Sequence, residues 1–183
     1  MSSGAGPAPG PADGSADGPA APFDTAAFKD AMSRFATGVT VVAGIDGGEP
    51  VGFTCQSFVS LSLDPPYVTV APAKSSTTWP RIARAGRFCV NVLADTQEEL
   101  CQGFARPGAA KFAGVDWDPT PVTGSPRIAG CLAWIDCAVS LVHDAGDHEI
   151  ILGHVLDLGV GPGSPLLFHR GRFATLAEGP GQD

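Results

Sequence analysis

The sequence predicts a mainly β fold, an antiparallel barrel with helical additions. Runs of β-branched residues flank turns that contain glycine, which is typical of β-hairpins. These runs cluster together and do not alternate with helices, as the strands of a parallel sheet would. The 183 residues include 24 glycines and 17 prolines, a composition that favours one globular domain with many turns.

The start of the chain differs in composition from the rest. After Met1, the residues up to position 22 are only Gly, Pro, Ala, Ser and Asp, so this segment has too little apolar surface to offset the entropy lost on ordering. We therefore predict a disordered tail over residues 1–22, one domain over residues 23–178 and a flexible C-terminus over residues 179–183. A domain of roughly 160 residues buries about two-thirds of the surface of its unfolded chain.

The first predicted element is an amphipathic helix. Asp24 or Thr25 supplies its N-cap, and we expect the helix to end near Gly38. Its apolar residues recur at i, i+3, i+4 and i+7, and they are Phe28, Ala31, Met32 and Phe35. This spacing predicts that one face of the helix is buried.

A β-hairpin follows, because residues 39–45 and 51–54 flank a turn at Asp46, Gly47 and Gly48. The remaining predicted elements, in chain order, are strand 67–71, helix 75–85 stopped by Gly86, strand 88–93, a short helix from a capping box at 96–99 to Phe104, strands 132–142 and 148–158 around a turn at 144–147, and a last strand pair over 166–176 broken at Gly171.

Charge, hydropathy and cysteine usage exclude several classes of function. Eleven Lys and Arg against 19 Asp and Glu give a formal charge of −8, so nucleic acid is not an expected partner. No apolar run approaches the roughly 20 residues that span a bilayer. Five cysteines, never spaced CxxC, argue against a disulfide framework and a structural zinc site. No targeting peptide is readable, and we expect a cytoplasmic protein.

The segment from Lys74 to Arg87 is unusually basic for this acidic chain. It holds four of the 11 cations in 14 residues and contains no acid. Lys74 precedes four hydroxyl residues at a predicted helix N-terminus, a combination that favours a phosphate. The alternative is that the hydroxyls only cap the helix and the arginines form a solvated face.

Two further segments carry candidate binding groups. Residues 54–58 (TCQSF) follow a strand and suit recognition of a heteroaromatic ring edge, or else form a hydrogen-bonded turn. Gly146, Asp147 and His148 lie in a turn between two long strands. Histidine spacing there does not favour a metal site, and a bond from His148 to Asp147 is the structural alternative. Neither a nucleophile elbow nor a dinucleotide-binding glycine fingerprint is present.

Taken in order, six segments resemble the short-chain flavin reductases of two-component flavin-dependent monooxygenases. They are residues 35–42 (FATGVTVV), 52–58 (GFTCQSF) with 60–66 (SLSLDPP), 86–93 (GRFCVNVL), 111–115 (KFAGV), 146–148 (GDH) and 165–171 (PLLFHRG). The resemblance spans about residues 23–176. It implies an FMN-binding split β-barrel that works as a homodimer, with flavin held near the subunit boundary.

The resemblance also implies the activity, which is an NAD(P)H-dependent flavin reductase. Hydride would pass from NADH or NADPH to FMN or FAD, and a flavin-dependent oxygenase component would receive the reduced flavin. Two alternatives remain open. In the first, the chain is a split-barrel flavoprotein whose tightly bound FMN acts on another small molecule. In the second, it is a noncatalytic flavin-binding carrier.

The resemblance assigns site residues in three groups. The isoalloxazine and ribityl part of the flavin would contact Thr54, Cys55, Gln56, Ser57 and Phe58, with Ser60 and Leu61 nearby. The phosphate end would approach Lys74, Ser75, Ser76 and Arg106. The nicotinamide nucleotide would be seated by Asp147 and His148, with His148 as the expected catalytic residue, joined by Arg170, Gly171, Arg172 and Phe173. Gln56, His169 and Phe173 depart from residues common in the family.

Overall fold

The computed structural model describes residues 22–108 and 110–177. All but the last residue of the predicted tail, and the whole of the predicted flexible C-terminus, lie outside the described residues. In chain order the elements are α1 (Thr25–Ser33), β1 (Thr37–Gly38), β2 (Thr40–Asp46), β3 (Glu49–Cys55), β4 (Val59–Leu63), β5 (Pro66–Val70), α2 (Trp79–Ala85), β6 (Arg87–Val92), α3 (Glu98–Ala105), β7 (Trp117–Pro119), β8 (Pro126–Ile128), β9 (Ala133–Ala145), β10 (His148–Val160), β11 (Leu167–His169) and β12 (Arg172–Ala174).

Seven strands form the main sheet, in the order β3-β2-β6-β9-β10-β5-β4, and every neighbouring pair is antiparallel. Strands β1, β11 and β12 form a small second sheet, and β7 pairs with β8. The prediction of a mainly β, antiparallel fold is confirmed, as are the two hairpins β2–β3 and β9–β10. None of the helices in the described residues is long and apolar enough to cross a membrane.

Strand β2 lies between two clusters of buried side chains. Val42 packs in one cluster with Phe88 and Ile151, whereas Val41 packs in the other with Phe104. Successive side chains of a strand point to opposite faces, and both faces of β2 are covered. This double burial explains why its sequence is a continuous apolar run without alternating polar residues.

The prediction that one face of α1 is buried is wrong for the single chain. The side chain of Asp24 caps the helix by accepting a bond from Ala27 N at 2.7 Å, as expected. The helix ends at Ser33, however, and none of its residues is buried. Phe28, Met32 and Phe35 are 50%, 56% and 77% exposed, so the apolar spacing marks a face that this chain alone does not cover.

Helix α2 begins at Trp79 and not at residue 75, which corrects the prediction. Pro80 lies in its first turn, a position that suits proline. Ser76 Oγ accepts bonds from the backbone N–H groups of Thr78 and Trp79, at 3.3 and 3.1 Å. Ser76 therefore caps the helix from outside it, and Gly86 ends the helix with a φ of 66°, as expected.

The predicted capping box at residues 96–99 is also wrong. A 3-10 turn, Asp95–Gln97, leads into α3. The side-chain contact comes from Gln97, whose Oε1 accepts a bond from Ala94 N at 3.0 Å. The helix itself forms as expected and ends at Ala105.

Two arginines of the basic segment are paired with one carboxylate. Arg81 Nε donates to Asp46 Oδ2 at 2.7 Å, and Arg84 Nη2 donates to Asp46 Oδ1 at 3.0 Å. Both bonds hold the pKa of Asp46 below its usual value, and the bond from Arg81 has the largest effect. The arginines thus join α2 to the β2–β3 turn, and they are not a free anion site.

A buried polar network holds the segment between β7 and β8 against β9. Asp136 is fully buried, and its carboxylate accepts bonds from both the backbone N and the hydroxyl of Thr123. A buried carboxylate needs such donors, because an unpaired one is costly. Thr123 is therefore a structural residue on a segment that lines none of the cavities described below.

Gly153 provides a test of this packing. A Cβ at Gly153 would lie 2.6 Å from Phe88 Cζ, and Phe88 is fully buried in the first cluster. We expect Gly153→Ala to lower the free energy of unfolding by about 1–3 kcal/mol through overpacking, measured by urea denaturation. Gly103→Ala is the matched control, because a Cβ there meets no neighbouring atom and α3 should gain about 0.5–1 kcal/mol. Equal stability changes in the two variants would contradict this account.

Candidate active site

A cavity of about 430 Å³ lies where β3 ends and the chain turns toward β4. Its wall brings together segments that are far apart in the sequence. The lining residues are Phe53, Thr54, Cys55, Gln56, Ser57, Ala71, Ala105 and His148. Four predicted flavin contacts and the predicted catalytic histidine therefore face one space. Its volume lies within the range of small-molecule sites.

The hydroxyl of Ser57 fixes the loop to the end of β5. Ser57 Oγ accepts a bond from Ala71 N at 2.8 Å and donates to Ala71 O at 3.2 Å. Cys55 Sγ lies 3.1 Å from the same oxygen. Because the hydroxyl has one proton and gives it to Ala71 O, the thiol of Cys55 is the donor in that contact. The side chains of both residues are thus engaged within the protein.

The hydroxyl of Thr54 fixes the other end of the loop to α3. Thr54 Oγ1 donates to the carbonyl oxygen of Cys101 at 2.8 Å. Together with Ser57, this contact leaves the backbone groups of the loop and the side chain of Gln56 to face the cavity. Gln56 is exposed and also borders two further cavities, of about 620 and 320 Å³.

His148 lies at the start of β10 beside an exposed carboxylate. Its Nδ1 is 2.8 Å from Asp147 Oδ1, and this bond is the main reason that the pKa of Asp147 is lowered. Since a carboxylate only accepts, Nδ1 carries the proton and Nε2 is left for another partner. The bond predicted as the structural alternative is therefore present, and His148 still lines the cavity.

The segment after β5 runs alongside the start of β10. Ala73 forms an antiparallel bridge with His148, and Lys74 N donates to Asp147 O at 2.9 Å. Lys74 Nζ donates to Asp144 Oδ2 at 2.5 Å, which lowers the pKa of that carboxyl. Lys74 and the exposed Ser75 are therefore next to His148, at one side of the cavity.

The other residues predicted at the phosphate end lie at different places. Ser76 uses its hydroxyl to cap α2, as described above, so the structural alternative holds for it. Arg106 is exposed and follows Ala105, the cavity-lining last residue of α3, in an extended conformation with ψ of 144°. Arg106 thus follows a lining residue, and Lys74 follows Ala73, which pairs with the lining residue His148, but neither lines the cavity itself.

Three of the seven predicted contacts to the flavin ring and ribityl chain, Phe58, Ser60 and Leu61, lie outside the lining of this cavity. Phe58 packs against the first buried cluster and borders the smaller neighbouring cavity together with Gln56. Ser60 and Leu61 lie on the edge strand β4 and are exposed. Within one chain, these three residues surround the site without facing it.

A separate cavity of about 590 Å³ is lined by His169, Arg170, Arg172, Phe173 and Ala174, and Gly171 lies between the two arginines without lining it. Arg170 and Gly171 form the β11–β12 turn with φ of 51° and 76°, a conformation that is uncommon for arginine. Arg170 N donates to Ser33 O at 2.8 Å. Ser33 also borders the 620 Å³ cavity that shares Gln56 with the site, so this segment adjoins the site without joining it.

Sequence reasoning missed three of the lining residues, namely Phe53, Ala71 and Ala105. Ala71 follows the last residue of β5, and Ala105 ends α3. Their small side chains carry no chemical signal, and only the pairing of Ser57 with Ala71 shows why they matter. Small residues at these positions leave space for a flat ring to approach the loop.

Comparison with known proteins agrees with this geometry. The model of the flavin reductase like domain matches residues 32–177, which is most of the chain. The chain belongs to the flavin reductase like family. It is 47% identical over 154 residues to the reductase subunit of a flavin-dependent monooxygenase from Rhodococcus jostii, covering 84% of this chain and 78% of that one.

Two other flavin reductase relatives show the same similarity. An FMN reductase (NADH) from Agrobacterium fabrum is 43% identical over 151 residues, with 82% of this chain and 86% of that one covered. The structure of an NADH:FAD oxidoreductase from Streptomyces globisporus superposes with a TM-score of 0.80 at 38% identity, covering 86% and 96% of the two chains. The split-barrel fold expected from the sequence is thus confirmed.

The cavity of this flavin reductase family member fits an isoalloxazine ring. Phe53, Ala71 and Ala105 supply apolar wall, while the loop 54–57 supplies polar backbone groups at one edge. An isoalloxazine has the same division, because its faces are apolar and its pyrimidine edge carries donors and acceptors. The hydroxyls of Thr54 and Ser57 hold this segment to α3 and to the end of β5, and these contacts need no bound ligand.

Replacing Ser57 tests whether its bonds to Ala71 contribute to flavin binding. Ser57→Ala removes the acceptor of Ala71 N and the contact with Cys55, and the hydroxyl that is lost is one that the protein itself engages. We expect the flavin Kd to rise about fivefold to tenfold, since the loop must then be ordered on binding. Titration of flavin fluorescence measures this Kd. Ser164→Ala, an exposed serine outside the cavity lining, is the control, and an unchanged Kd in Ser57→Ala would contradict the role given to the hydroxyl.

Proposed function

We propose that the protein is an NAD(P)H:flavin oxidoreductase that supplies reduced FMN or FAD to a flavin-dependent oxygenase. The observation that carries this proposal is the single cavity formed by residues 54–57 and His148. It holds a ring-binding edge and an imidazole with a free nitrogen within one space. NADH is the supported hydride donor, because relatives are named as NADH-dependent FMN and FAD reductases.

Relatives named as reductase subunits of monooxygenases support an oxygenase partner for this chain. The same names favour the reductase over the two alternatives, a fixed FMN that acts on another molecule and a noncatalytic carrier. No substrate of the oxygenase follows from this chain, because reduced flavin is the product that leaves it.

Hydride transfer between the two rings requires no general acid or base from the protein. When bound, a flavin would supply the hydride acceptor and a nicotinamide nucleotide the donor, while the protein supplies position and electrostatics. The walls of the cavity orient the two rings, and such preorganisation is worth up to roughly 7–11 kcal/mol in ideal cases. Backbone N–H groups of residues 54–57 stabilise the negative charge that a reduced ring acquires.

His148 orients the nicotinamide nucleotide. Asp147 holds its Nδ1 proton, so Nε2 accepts a hydrogen bond from the nucleotide while the ring borders the cavity. Asp147 acts on the nucleotide only through His148. Arg170, Arg172 and Phe173, which line the separate 590 Å³ cavity, bind with Gly171 the more distant, negatively charged part of the nucleotide.

Lys74 and Ser75 take the flavin phosphate together with Arg106. The ion pair of Lys74 with Asp144 is exposed on both sides, and exposed pairs of this kind exchange readily because they are weak. Thr54, Cys55, Gln56 and Ser57 contact the ring and ribityl chain. Ser76, Phe58, Ser60 and Leu61 act indirectly, through the helix cap, the core and the edge strand.

The function is tested by nicotinamide oxidation with purified protein in air. NADH and NADPH are each supplied with FMN, FAD or riboflavin, and we expect turnover that requires flavin and saturates with it. His148→Ala should raise the KM for the nucleotide by about tenfold, because one hydrogen bond to a polar ligand is lost, with the flavin KM little changed. His143→Ala is the control, because His143 is exposed on β9 outside the cavity. A folded wild-type protein that binds flavin without oxidising either nucleotide would contradict the proposal.

The protein works as a homodimer. Apolar side chains remain exposed on α1 and at every second position of the edge strand β4, where Val59, Leu61 and Leu63 are 54%, 58% and 91% exposed. Strand β10 adds Leu158 and Val160, at 59% and 86% exposed. Exposed apolar patches of this kind support a protein interface, and a second copy would cover the face of α1 that the sequence predicts to be buried.

Sedimentation velocity at micromolar concentration tests the dimer. We expect wild-type protein to sediment as a dimer and Leu63→Asp to shift it toward monomer, since a carboxylate would be buried in an apolar interface. Val122→Asp is the control, because Val122 is also exposed but lies in the segment between β7 and β8. A monomeric wild-type protein would contradict the proposal.

The cysteines support a cytoplasmic location. All five are unpaired and buried. Burial raises the pKa of Cys131 and of Cys137 to about 12, so these thiols stay protonated and unreactive. A reducing compartment suits a chain with this set of thiols.

A further inference from the structure

Lys111 begins the segment KFAGV at residues 111–115, to which the proposed mechanism gives no role. Its Nζ donates a hydrogen bond to the carbonyl oxygen of Phe104 at 2.8 Å. None of the ion pairs among residues 22–108 and 110–177 includes Lys111. The ammonium group is therefore directed at a backbone carbonyl and not at a carboxylate.

The position of this ammonium group is unfavourable unless the carbonyl contact compensates for it. Lys111 is half-buried, and burial lowers its pKa because desolvation disfavours the charged form. An apolar side chain would fill the same space without that penalty. Phe104 is the penultimate residue of α3, however, and the last carbonyls of a helix lack intrahelical donors. A positive charge is also favourable at that end of the helix dipole.

The end of α3 is part of the wall of the active site. Ala105 lines the cavity, and Arg106 leaves the helix directly after it in extended conformation. Phe104 itself is buried and lies edge to face with Phe112, at 4.9 Å between ring centroids. Lys111 and Phe112 thus hold the backbone and the side chain of the same residue, directly before the cavity-lining Ala105 and two positions before Arg106.

We propose that Lys111 is a positioning residue for flavin binding, which acts by holding the C-terminal end of α3 so that Ala105 and Arg106 meet the flavin. The inference rests on the proposed function, since it takes the cavity as the flavin site. Lys111 does not touch the flavin, and its effect passes through the backbone of residues 104–106. Thr54 makes the corresponding contact at Cys101, one turn earlier in the same helix.

The test compares Lys111→Met with Lys111→Arg. Methionine keeps the length and apolar stem and cannot donate, whereas arginine keeps both charge and donors. For Lys111→Met we expect the flavin Kd and flavin KM to rise about tenfold, with kcat and the NADH KM within about twofold. Lys111→Arg should recover most of the flavin affinity. Flavin fluorescence gives the Kd without any nucleotide, so the result is independent of turnover.

A double-mutant cycle with Arg106 shows whether the effect passes through the end of the helix. If Lys111 acts by placing Arg106, Lys111→Met should weaken flavin binding much less in the Arg106→Ala background than in the wild type. Thr123→Ala is the stability control, because it removes bonds to the buried Asp136 far from the cavity lining. That variant should melt at lower temperature with an unchanged flavin Kd.

Two outcomes would overturn the inference. One is a flavin Kd in Lys111→Met within twofold of wild type, which would make the lysine a stability residue only. The other is full additivity with Arg106→Ala, which would place its effect elsewhere. Failure of the wild-type protein to oxidise NADH or NADPH is a separate result: it contradicts the proposed function, whereas the binding data still decide the role of Lys111.

Discussion

The active site depends on the hydrogen bonds that anchor residues 54–57 to the neighbouring elements. Thr54 and Cys55 still pair with β2 at the end of β3, whereas Gln56 and Ser57 lie beyond the strand, so side-chain contacts to other elements fix where the segment goes next. Ser57 bonds both backbone groups of Ala71, and Thr54 bonds the carbonyl of Cys101 in α3. Each hydroxyl thereby ties the loop to an element that also lines the cavity. The loop, the end of β5 and the end of α3 thus form one hydrogen-bonded wall of the cavity.

The strands β9 and β10 bring the opposite wall to this loop. They pair over most of their length, with bulges after Leu152 and Val155, and β10 also pairs with β5. The start of β10 carries His148, and the continuation of β5 carries Ala71. Because the two strands are antiparallel, His148 lies beside Ala73, two residues beyond the anchor of the loop. One pairing register therefore sets the distance between the ring-binding edge and the imidazole.

The sequence predicted those features whose determinants are local. Gly47 and Gly48, and Gly146, adopt the positive φ that tight turns need, so the hairpins were readable from turn chemistry. The start of α2 cannot be read from local sequence, because Ser75 and Ser76 suit a helix N-terminus as well as Trp79 does. Only the fold shows that Ser76 caps α2 from outside the helix. The pairing of Asp46 with Arg81 joins residues 35 apart in the sequence. For α1 the spacing identified an apolar face correctly, but spacing carries no information about which surface covers it. Ala71 and Ala105 gave no signal at all, because their contribution is the space that they leave.

The use of hydroxyls as anchors has a consequence for flavin selectivity. With Thr54 and Ser57 engaged inside the protein, the loop offers the flavin mainly backbone groups and the amide of Gln56, and these meet the ring system that FMN and FAD share. The two flavins differ only beyond the ribityl phosphate. Any preference must therefore arise farther out, where Lys74 and Arg106 approach from different segments, and where Gln56 borders the neighbouring cavities. The charge of Lys74 is paired with that of Asp144, whereas the position of Arg106 is set by the end of α3, which it follows directly. Because Lys111 holds that end, a contact outside the cavity lining would control the part of the site in which FMN and FAD can be distinguished.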